Sequence, residues 1–422
     1  MAGKSPVVML AIVGGAVLAT AAVAAYPAAV WLGNKMYDQN VENFTKGYPV
    51  VYKETEKSFA SRKGTWEVNT PAGDFVFRTE TTFGITGGES VITPDYESSG
   101  FKSVFEDLSI KEYPKAEMHM GYSIAKQAFT SDGFVEPFKI ANDDFSCNVS
   151  GMKFESTVDQ NVNMNATGEE IVKSFRKGSG KSSGNVVIEG LSCAAGADSN
   201  SKGELKIENV KINVESVQSY PSLYNIRIGS LLFNVKGKYE LKDFELDQNI
   251  DFDSNGFSFK TAGSVAVATF PNEIAGGSVT LNNTGIDVRV EDINDRDFAS
   301  LIDFYKDVAL GEFADKTSDA DLMNSPLAKI PLNIKLVKLV SQSGNDGSFK
   351  ADGSASFSVS NIMNAKAALN LNFSKPYADA IGLGDAVGSG IAMGFLKQDG
   401  QNYVSNLSLE NQSLTVNGKK IF

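Results

Sequence analysis

Two hydrophobic patterns divide the chain. From Ser5 to Asn34 no side chain is charged, a run of 30 residues whose most apolar part is Val7–Leu32. At about 1.5 Å per residue such a helix is about 45 Å long, more than the ~30 Å hydrocarbon core of a bilayer requires. Tyr26 and Trp31 stand near its far end, where aromatic rings favour the headgroup boundary, and Lys4 precedes it. The pattern predicts a cytoplasmic end at residues 1–5, a single transmembrane anchor at 6–33 and an exported remainder. The rival reading is a cleaved signal peptide, because Ala22-Val23-Ala24 has small–x–small spacing. Apolar sequence runs on for eight residues past Ala24, which favours the retained anchor. Residues 34–49 read as a stalk, with Met36, Tyr37, Val41 and Phe44 near one helical face and Gly47 and Pro49 ending it.

From Val50 onward the dominant period is two. The clearest stretch shows Ile226/Ile228, Tyr239/Leu241, Phe244/Leu246, Phe257/Phe259 and Val265/Val267, with polar residues between most of them. Such alternation predicts strands with one dry and one wet face. Leu205 and Ile207 are followed by Val210, Ile212 and Val214 in the opposite phase, which predicts a bulge or a turn. Lys236-Gly237, Asn255-Gly256, Ala262-Gly263 and Gly276-Gly277 read as hairpin turns. One helix is predicted over Asp297–Phe313, capped by Asn294 or Asp295, and a second, Gly-rich one over Tyr377–Leu396. Two strands close the chain, near Tyr403–Leu409 and Ser413–Val416. The predicted organisation is a β-rich region at 50–293, a helix and loop at 294–330, and a C-terminal β region at 331–422. The fold class is mainly β: a large antiparallel, curved sheet or sandwich with one or two packed helices, preceded by the transmembrane helix.

Charge and composition narrow the chemistry. The 39 Lys and Arg against 51 Asp and Glu give a net charge of −12, which argues against nucleic acid as a partner. With one histidine, His119, and two cysteines, a Cys/His zinc site is excluded. No cofactor is expected. Cys147 and Cys193 are 46 positions apart, and in an exported chain two cysteines read as one disulfide. Closing that loop contributes about 4 kcal/mol in the chain-entropy model.

Several motifs invite a site. Lys177-Gly-Ser-Gly180-Lys181-Ser182 lacks the phosphate-loop glycine, since position 175 is Phe, and reads as an exposed loop. Gly382-x-Gly384-x-x-x-Gly388 has the wrong gap for a dinucleotide fingerprint. Asp251, Asp253 and Asn255 match the first half of a calcium loop, but its twelfth position is Ala262 instead of Glu; a plain Asn-Gly hairpin explains the same letters. The acids Asp292, Asp295 and Asp297 suit a helix start. His119, in an alternating strand, shows no catalytic partner in sequence and reads as a surface or rim residue. The 27 Phe are an excess. They form either an ordinary core or an apolar groove for acyl chains, with Phe233, Phe244 and Phe257 as the candidate contacts.

The carboxy-terminal text is the most specific. Gly394-Phe-Leu-Lys-Gln-Asp-Gly leads through a polar hairpin to Leu414-Thr-Val-Asn417-Gly418-Lys419. Together with the apolar amino end and Gly33-Asn-Lys, this resembles the YdgA-like family of bacterial membrane proteins of unknown function. The family's Arg-Gly step is here Arg62-Lys63-Gly64, with one residue inserted. The resemblance covers both ends of the chain. It implies a single-pass anchor in the bacterial inner membrane and a β-rich periplasmic domain, and it brings no catalytic residues. The expected function is a non-enzymatic envelope role, as a scaffold or as a binder of lipid or partner protein. The rivals are a carboxylate-dependent hydrolase of envelope polymers and a calcium-dependent binding module.

Overall fold

A computed structural model describes residues 50–58, 61–70, 73–84, 87–123, 127–141, 145–163, 166–195, 203–218, 220–234, 237–272, 277–309 and 326–421. The predicted anchor and stalk lie outside these residues. Among the described residues no helix is long and apolar enough to cross a membrane. The chain divides into two compact units, one running to Val162 and adding Gly180–Asn200, the other holding Asn163–Ser179 and the chain from Ser201 onward.

The first unit is an antiparallel meander. Strands β1 (Val50–Lys57), β2 (Ser61–Thr70), β3 (Gly73–Gly84) and β4 (Gly87–Asp95) pair in sequence order. Helix α1 (Ser99–Asp107) leads to β5 (Ala116–Ser123). Then come β6 (Ala128–Val135), β7 (Phe138–Ala141), β8 (Phe145–Val149), β9 (Met152–Asp159) and β10 (Lys181–Ala195). Strands β6 and β7 keep one register against β9 and β8, as do β8 and β9 against β10, so each pair is one long strand with a bend. The bends fall at Glu136-Pro137 and Ser150-Gly151, where Pro lacks a donor and Gly151 takes φ 111°. Cys147 on β8 faces Cys193 on β10 and the two form the expected disulfide.

Helix α1 was not predicted, although Phe101, Val104, Phe105 and Leu108 have helical spacing. Its amino end is tied to β3: the Ser99 hydroxyl accepts from the Asp74 amide at 3.0 Å. Gly100 is required there, because a Cβ would lie 2.9 Å from the Asp74 carbonyl. Phe101 and Phe105 share one core cluster with Phe75 of β3, Ile140 of β7, Cys147 of β8 and Leu191 of β10. Early and late strands therefore both reach the helix, and the sheet curls around it.

The second unit is a longer antiparallel meander. Strands β11 (Glu204–Val217), β12 (Tyr220–Asn234), β13 (Lys238–Phe252), β14 (Phe257–Pro271), β15 (Ser278–Ile293), β16 (Leu332–Ser343), β17 (Gly347–Phe357) and β18 (Lys366–Ser374) pair successively. After β18 comes β19 (Lys397–Asp399), which pairs with β20 (Asn402–Glu410). The second of these also pairs with β18 and with β21 (Ser413–Val416). Ala262-Gly263, expected to be a turn, sits in mid-strand in β14: the alternation of its neighbours continues through it, and both residues are paired on each side.

Helix α2 (Gly168–Lys177) belongs to this unit and was also missed. It begins with a capping box, in which the Thr167 amide donates to Glu170 at 2.8 Å, and ends on Gly178 at φ 65°. The stretch 177–182, expected to be an exposed loop, is therefore a helix end followed directly by β10. Helix α3 (Asp295–Ala309) is the predicted one, with the Asn294 side chain accepting from the Asp297 amide at 2.9 Å. Helices α2 and α3 cross where Gly168 meets Ala299, and the Gly168 amide donates to Asp303 at 2.7 Å. They cover one end of the apolar sheet face. Ile171, Phe175, Phe257, Ile293, Phe298 and Ile302 form the core there. The predicted helix over Tyr377–Leu396 is two short ones, α4 (Lys375–Ala380) and α5 (Gly384–Ala392), broken at Gly382 with φ 82°. Tyr377 of α4 stacks on Phe349 of β17.

A crease runs across five strands of this unit. Each ladder from β11 to β15 omits one pair along the line Asn209, Gly229, Asp243, Ala266, Asn283, with no register shift at that line. Asn209, Asp243 and Asn283 take φ values of 54°, 50° and 48°. Asn and Asp tolerate this left-handed region best among side-chain-bearing residues. The phase slip read between Ile207 and Val210 is this crease.

Candidate functional site

The first unit holds an apolar pocket of about 110 Å³ beneath α1. Its lining includes Phe75 and Phe77 of β3, Met118 of β5, Phe154 of β9, and Phe101 and Phe105 of α1. The strand alternation that keeps these side chains inward also places Gly133 opposite both Met118 and Phe154. Gly133 has no side chain, and Phe154 lies over it. Polar atoms near the lining are already committed. The Tyr96 hydroxyl donates to the Pro114 carbonyl at 2.6 Å, and burial raises its pKa. Glu117 also borders the pocket, but its carboxylate is engaged, accepting from His119, which lies two residues on along the same side of the strand. What enters this pocket finds no unpaired charge. A dry cavity of about 150 Å³ lined by such residues takes up benzene, so this one holds a short stretch of hydrocarbon.

The pocket lies close to Val50. Val50 pairs with Val68, and Val68 with Phe75 of the pocket wall. At about 4.8 Å per strand the separation is roughly 10 Å.

Deeper along the same face runs a polar belt. Arg62 is 1% exposed and donates to Glu54 at 3.1 Å. Thr81 and Ser90 share a hydrogen bond at 2.7 Å, as do Ser131 and Ser156 at 2.7 Å. These groups satisfy one another and serve the interior of the unit.

His119 lies at the rim, its side chain 34% exposed. Its Nε2 is 2.6 Å from Glu117 and its Nδ1 3.5 Å from Glu89. The hydrogen bond with Glu117 raises its pKa, helped by Glu89 and Asp132 and opposed by desolvation. Its two hydrogen-bonding partners are carboxylates, the environment of a charge pair.

The candidate calcium residues are spent locally. Asp253 accepts from the Asn255 and Gly256 amides at 2.7 and 3.2 Å, closing the hairpin turn. Asp251 accepts from Asn249 at 2.9 Å. The guanidinium of Arg176 donates to the Asp253 carbonyl and to Asp295, so a cation of the chain itself already occupies that end. Among the described residues no three His, Cys, Asp or Glu converge as a metal site.

The three candidate apolar contacts separate. Phe257 is fully buried beneath α2 and α3, stacked on Phe298 at 3.9 Å. Phe244 is half-buried on the open sheet face, and Phe233 is 42% exposed at the far end of β12. The opposite, polar face of this unit has a concavity of about 750 Å³. Its charges and amides largely pair among themselves, as Lys366 with Glu410 at 2.9 Å and Asn370 with Asp352 at 2.9 Å, so it reads as a solvated face. The α1 pocket was missed in the sequence. The signals were Phe75-x-Phe77 and the i, i+4 pair Phe101/Phe105. No family model, no curated protein and no solved structure matches the chain.

Proposed function

We propose that this chain is a non-enzymatic, membrane-tethered binder of acyl chains in the bacterial envelope. The observation that carries the reading is the α1 pocket, which is lined by carbon and lies two strands from Val50. The residues before Val50 include the 30-residue uncharged run. A tether there holds the pocket beside a supply of hydrocarbon, and its lining offers a tail everything and a head group nothing. The resemblance to the YdgA-like family supports an inner-membrane anchor with the β-rich part in the periplasm. A scaffold for another envelope protein is the second reading, favoured by the uncovered apolar face of the second unit, where Phe233 is 42% exposed and Phe244 half-buried.

The test is native mass spectrometry of the full chain purified from membranes, beside its Ala116→Trp variant. Ala116 lines the pocket, and an indole there fills it. Wild type is expected to retain lipid, and the variant to lose it from this pocket while keeping its circular dichroism. Wild type without any lipid, even after incubation with palmitate, overturns the reading.

A further inference from the structure

The carboxy-terminal segment holds an apolar tip in the open. No charged side chain occurs from Ala386 to Leu396, and Lys397 follows directly. Val387 of α5 and Leu396 turn inward and share a core cluster with Phe373 of β18 and Tyr403 of β20. Leu396 fits against Gly390, where a Cβ would lie 2.8 Å from it. Met393 and Phe395 stay 57% and 40% exposed, and Ile391 is 38% exposed. Side chains pin this turn by its backbone. The Asn417 amide donates to the Gly394 and Phe395 carbonyls at 3.1 and 3.2 Å, and the Ser405 hydroxyl donates to the Phe395 carbonyl at 2.7 Å. Asn417 is itself fixed, because its side-chain oxygen accepts from the Asn406 amide at 3.0 Å. With Gly418 it makes the hairpin turn between β21 and β22 (Lys419–Lys420), at φ 54° and 80°. Positive φ at both turn positions is what Asn-Gly supplies best. The Lys397 ammonium donates to the Asn417 carbonyl at 3.2 Å. The closing Asn417-Gly418-Lys419-Lys420 thus fixes the tip and gathers three lysines at it.

We infer that this tip docks on an anionic phospholipid surface, with Met393 and Phe395 entering the acyl boundary and Lys397, Lys419 and Lys420 meeting the head-group phosphates. Charge decides the occupant. Among the described residues none of the three lysines forms an ion pair. The acids on these strands are Asp399 and Glu410, and Glu410 is held by Lys366 at 2.9 Å. Asp385 bounds the other end of the uncharged run, about 9 Å back along α5 from Ile391. The whole chain carries a net charge of −12, so an anionic surface repels it except at a locally cationic end. Lysines beside exposed apolar side chains suit a lipid boundary, where one part meets phosphate and the other hydrocarbon. A second copy is the poorer occupant, because a two-fold contact sets each group of lysines against its own duplicate. The inference adds a membrane contact in the second unit to the tether proposed before Val50, and it does not depend on the α1 pocket.

The experiment places an environment-sensitive NBD fluorophore at Met393→Cys in the full chain. The two native cysteines form a disulfide, so the added thiol alone reacts. The labelled chain is reconstituted in vesicles of equal parts phosphatidylcholine and phosphatidylglycerol, or of phosphatidylcholine alone, and quenching by doxyl-labelled lipid reads immersion. Anionic vesicles are expected to quench the label and shift its emission to the blue, while a label at the exposed Ser354→Cys stays unquenched. Lys419→Gln with Lys420→Gln should lower the partitioning about 25-fold, since each lysine near an anionic surface is worth about fivefold. Lys397→Gln with Lys419→Gln is the second pair, so that a fold lost in one does not decide the result. Quenching at position 393 no greater than at 354 overturns the docking. Equal immersion in both kinds of vesicle, reduced by neither lysine pair, overturns the anionic surface. An emission shift that follows protein concentration in detergent without vesicles overturns the lipid surface in favour of a second copy. Ala116→Trp should leave immersion unchanged, so tip and pocket are judged separately: a tip that stays dry on a chain that retains lipid fails alone, and an immersed tip on a chain without lipid in the pocket stands alone.

Discussion

Truncating three phenylalanines of the second unit, one at a time, separates sealed core from open face. Phe257 is fully buried. Its ring stacks on Phe298 at 3.9 Å, meets Phe175 edge-on at 5.7 Å, and lies 4.9 Å from the Arg176 guanidinium. Phe257→Ala removes those contacts and leaves a cavity closed by two helices, so the loss belongs at the upper part of the ~3–5 kcal/mol range for such changes. Phe244 is half-buried, and the volume it vacates opens to solvent. Full burial of such a side chain is worth about 1.5–3 kcal/mol, so half of it without a cavity gives about 1 kcal/mol. Phe233, at 42% exposed, falls below that. Urea melts followed by far-UV circular dichroism give the midpoints, and hydrogen exchange in peptides spanning β14 and β15 shows where protection is lost. An equal loss in Phe244→Ala and Phe257→Ala would refute the open face, because it would require a cover over Phe244 as tight as α2 and α3 are over Phe257.

Two further outcomes follow from close contacts. Gly168→Ala places a methyl where the Ala299 carbonyl of α3 already stands, 2.2 Å from the ideal Cβ, so the helices must part. A loss of about 1–3 kcal/mol is expected in thermal melts, against a gain if α2 were free of α3. The His119 pKa is raised in the folded state, so its ion pair contributes fully below the unfolded value near ~6.5 and is lost as pH rises through the folded value. The melting midpoint should therefore fall as pH rises through that window in wild type, and this component should vanish in His119→Gln. The rim position keeps the effect small.

Much of the fold was legible because one force dominated each legible part. Strand periodicity recovered the sheet from Ile226 to Thr269, where one face is dry over long strands. The disulfide was readable because the chain has only two cysteines and its amino-terminal pattern led to an expectation of export. Helix α3 was readable because Phe298, Leu301, Ile302 and Tyr305 repeat at helical spacing behind an Asn cap. Helix α2 carries equally good signals in Thr167-x-x-Glu170, Ile171/Phe175 and Gly178, but it is ten residues long and followed by Ser and Gly, which drew the eye to a loop. The pocket was not legible for a deeper reason. Its wall is made by residues from β3, α1, β5 and β9, brought together only by the curl of the sheet, and no local pattern encodes that curl.

The crease shows how a local pattern can encode curvature when it is repeated. Ile207-Glu-Asn-Val210, Ile228-Gly-Ser-Leu231 and Leu241-Lys-Asp-Phe244 share one signature, apolar–polar–polar–apolar, in strands that otherwise alternate. A single slip of this kind is a local irregularity, and its strand accommodates it alone. Three in neighbouring strands at the same register lie side by side, so their bends add along one line. Asn or Asp at the third position of β11 and β13 supplies the left-handed residue that the slip requires, and Asn283 repeats it in β15. A sheet selected only for stability would gain by keeping its alternation and covering its apolar face. This one covers one end of that face with α2 and α3, where Phe257 and Phe298 seal, and leaves Phe244 half-buried on the uncovered remainder.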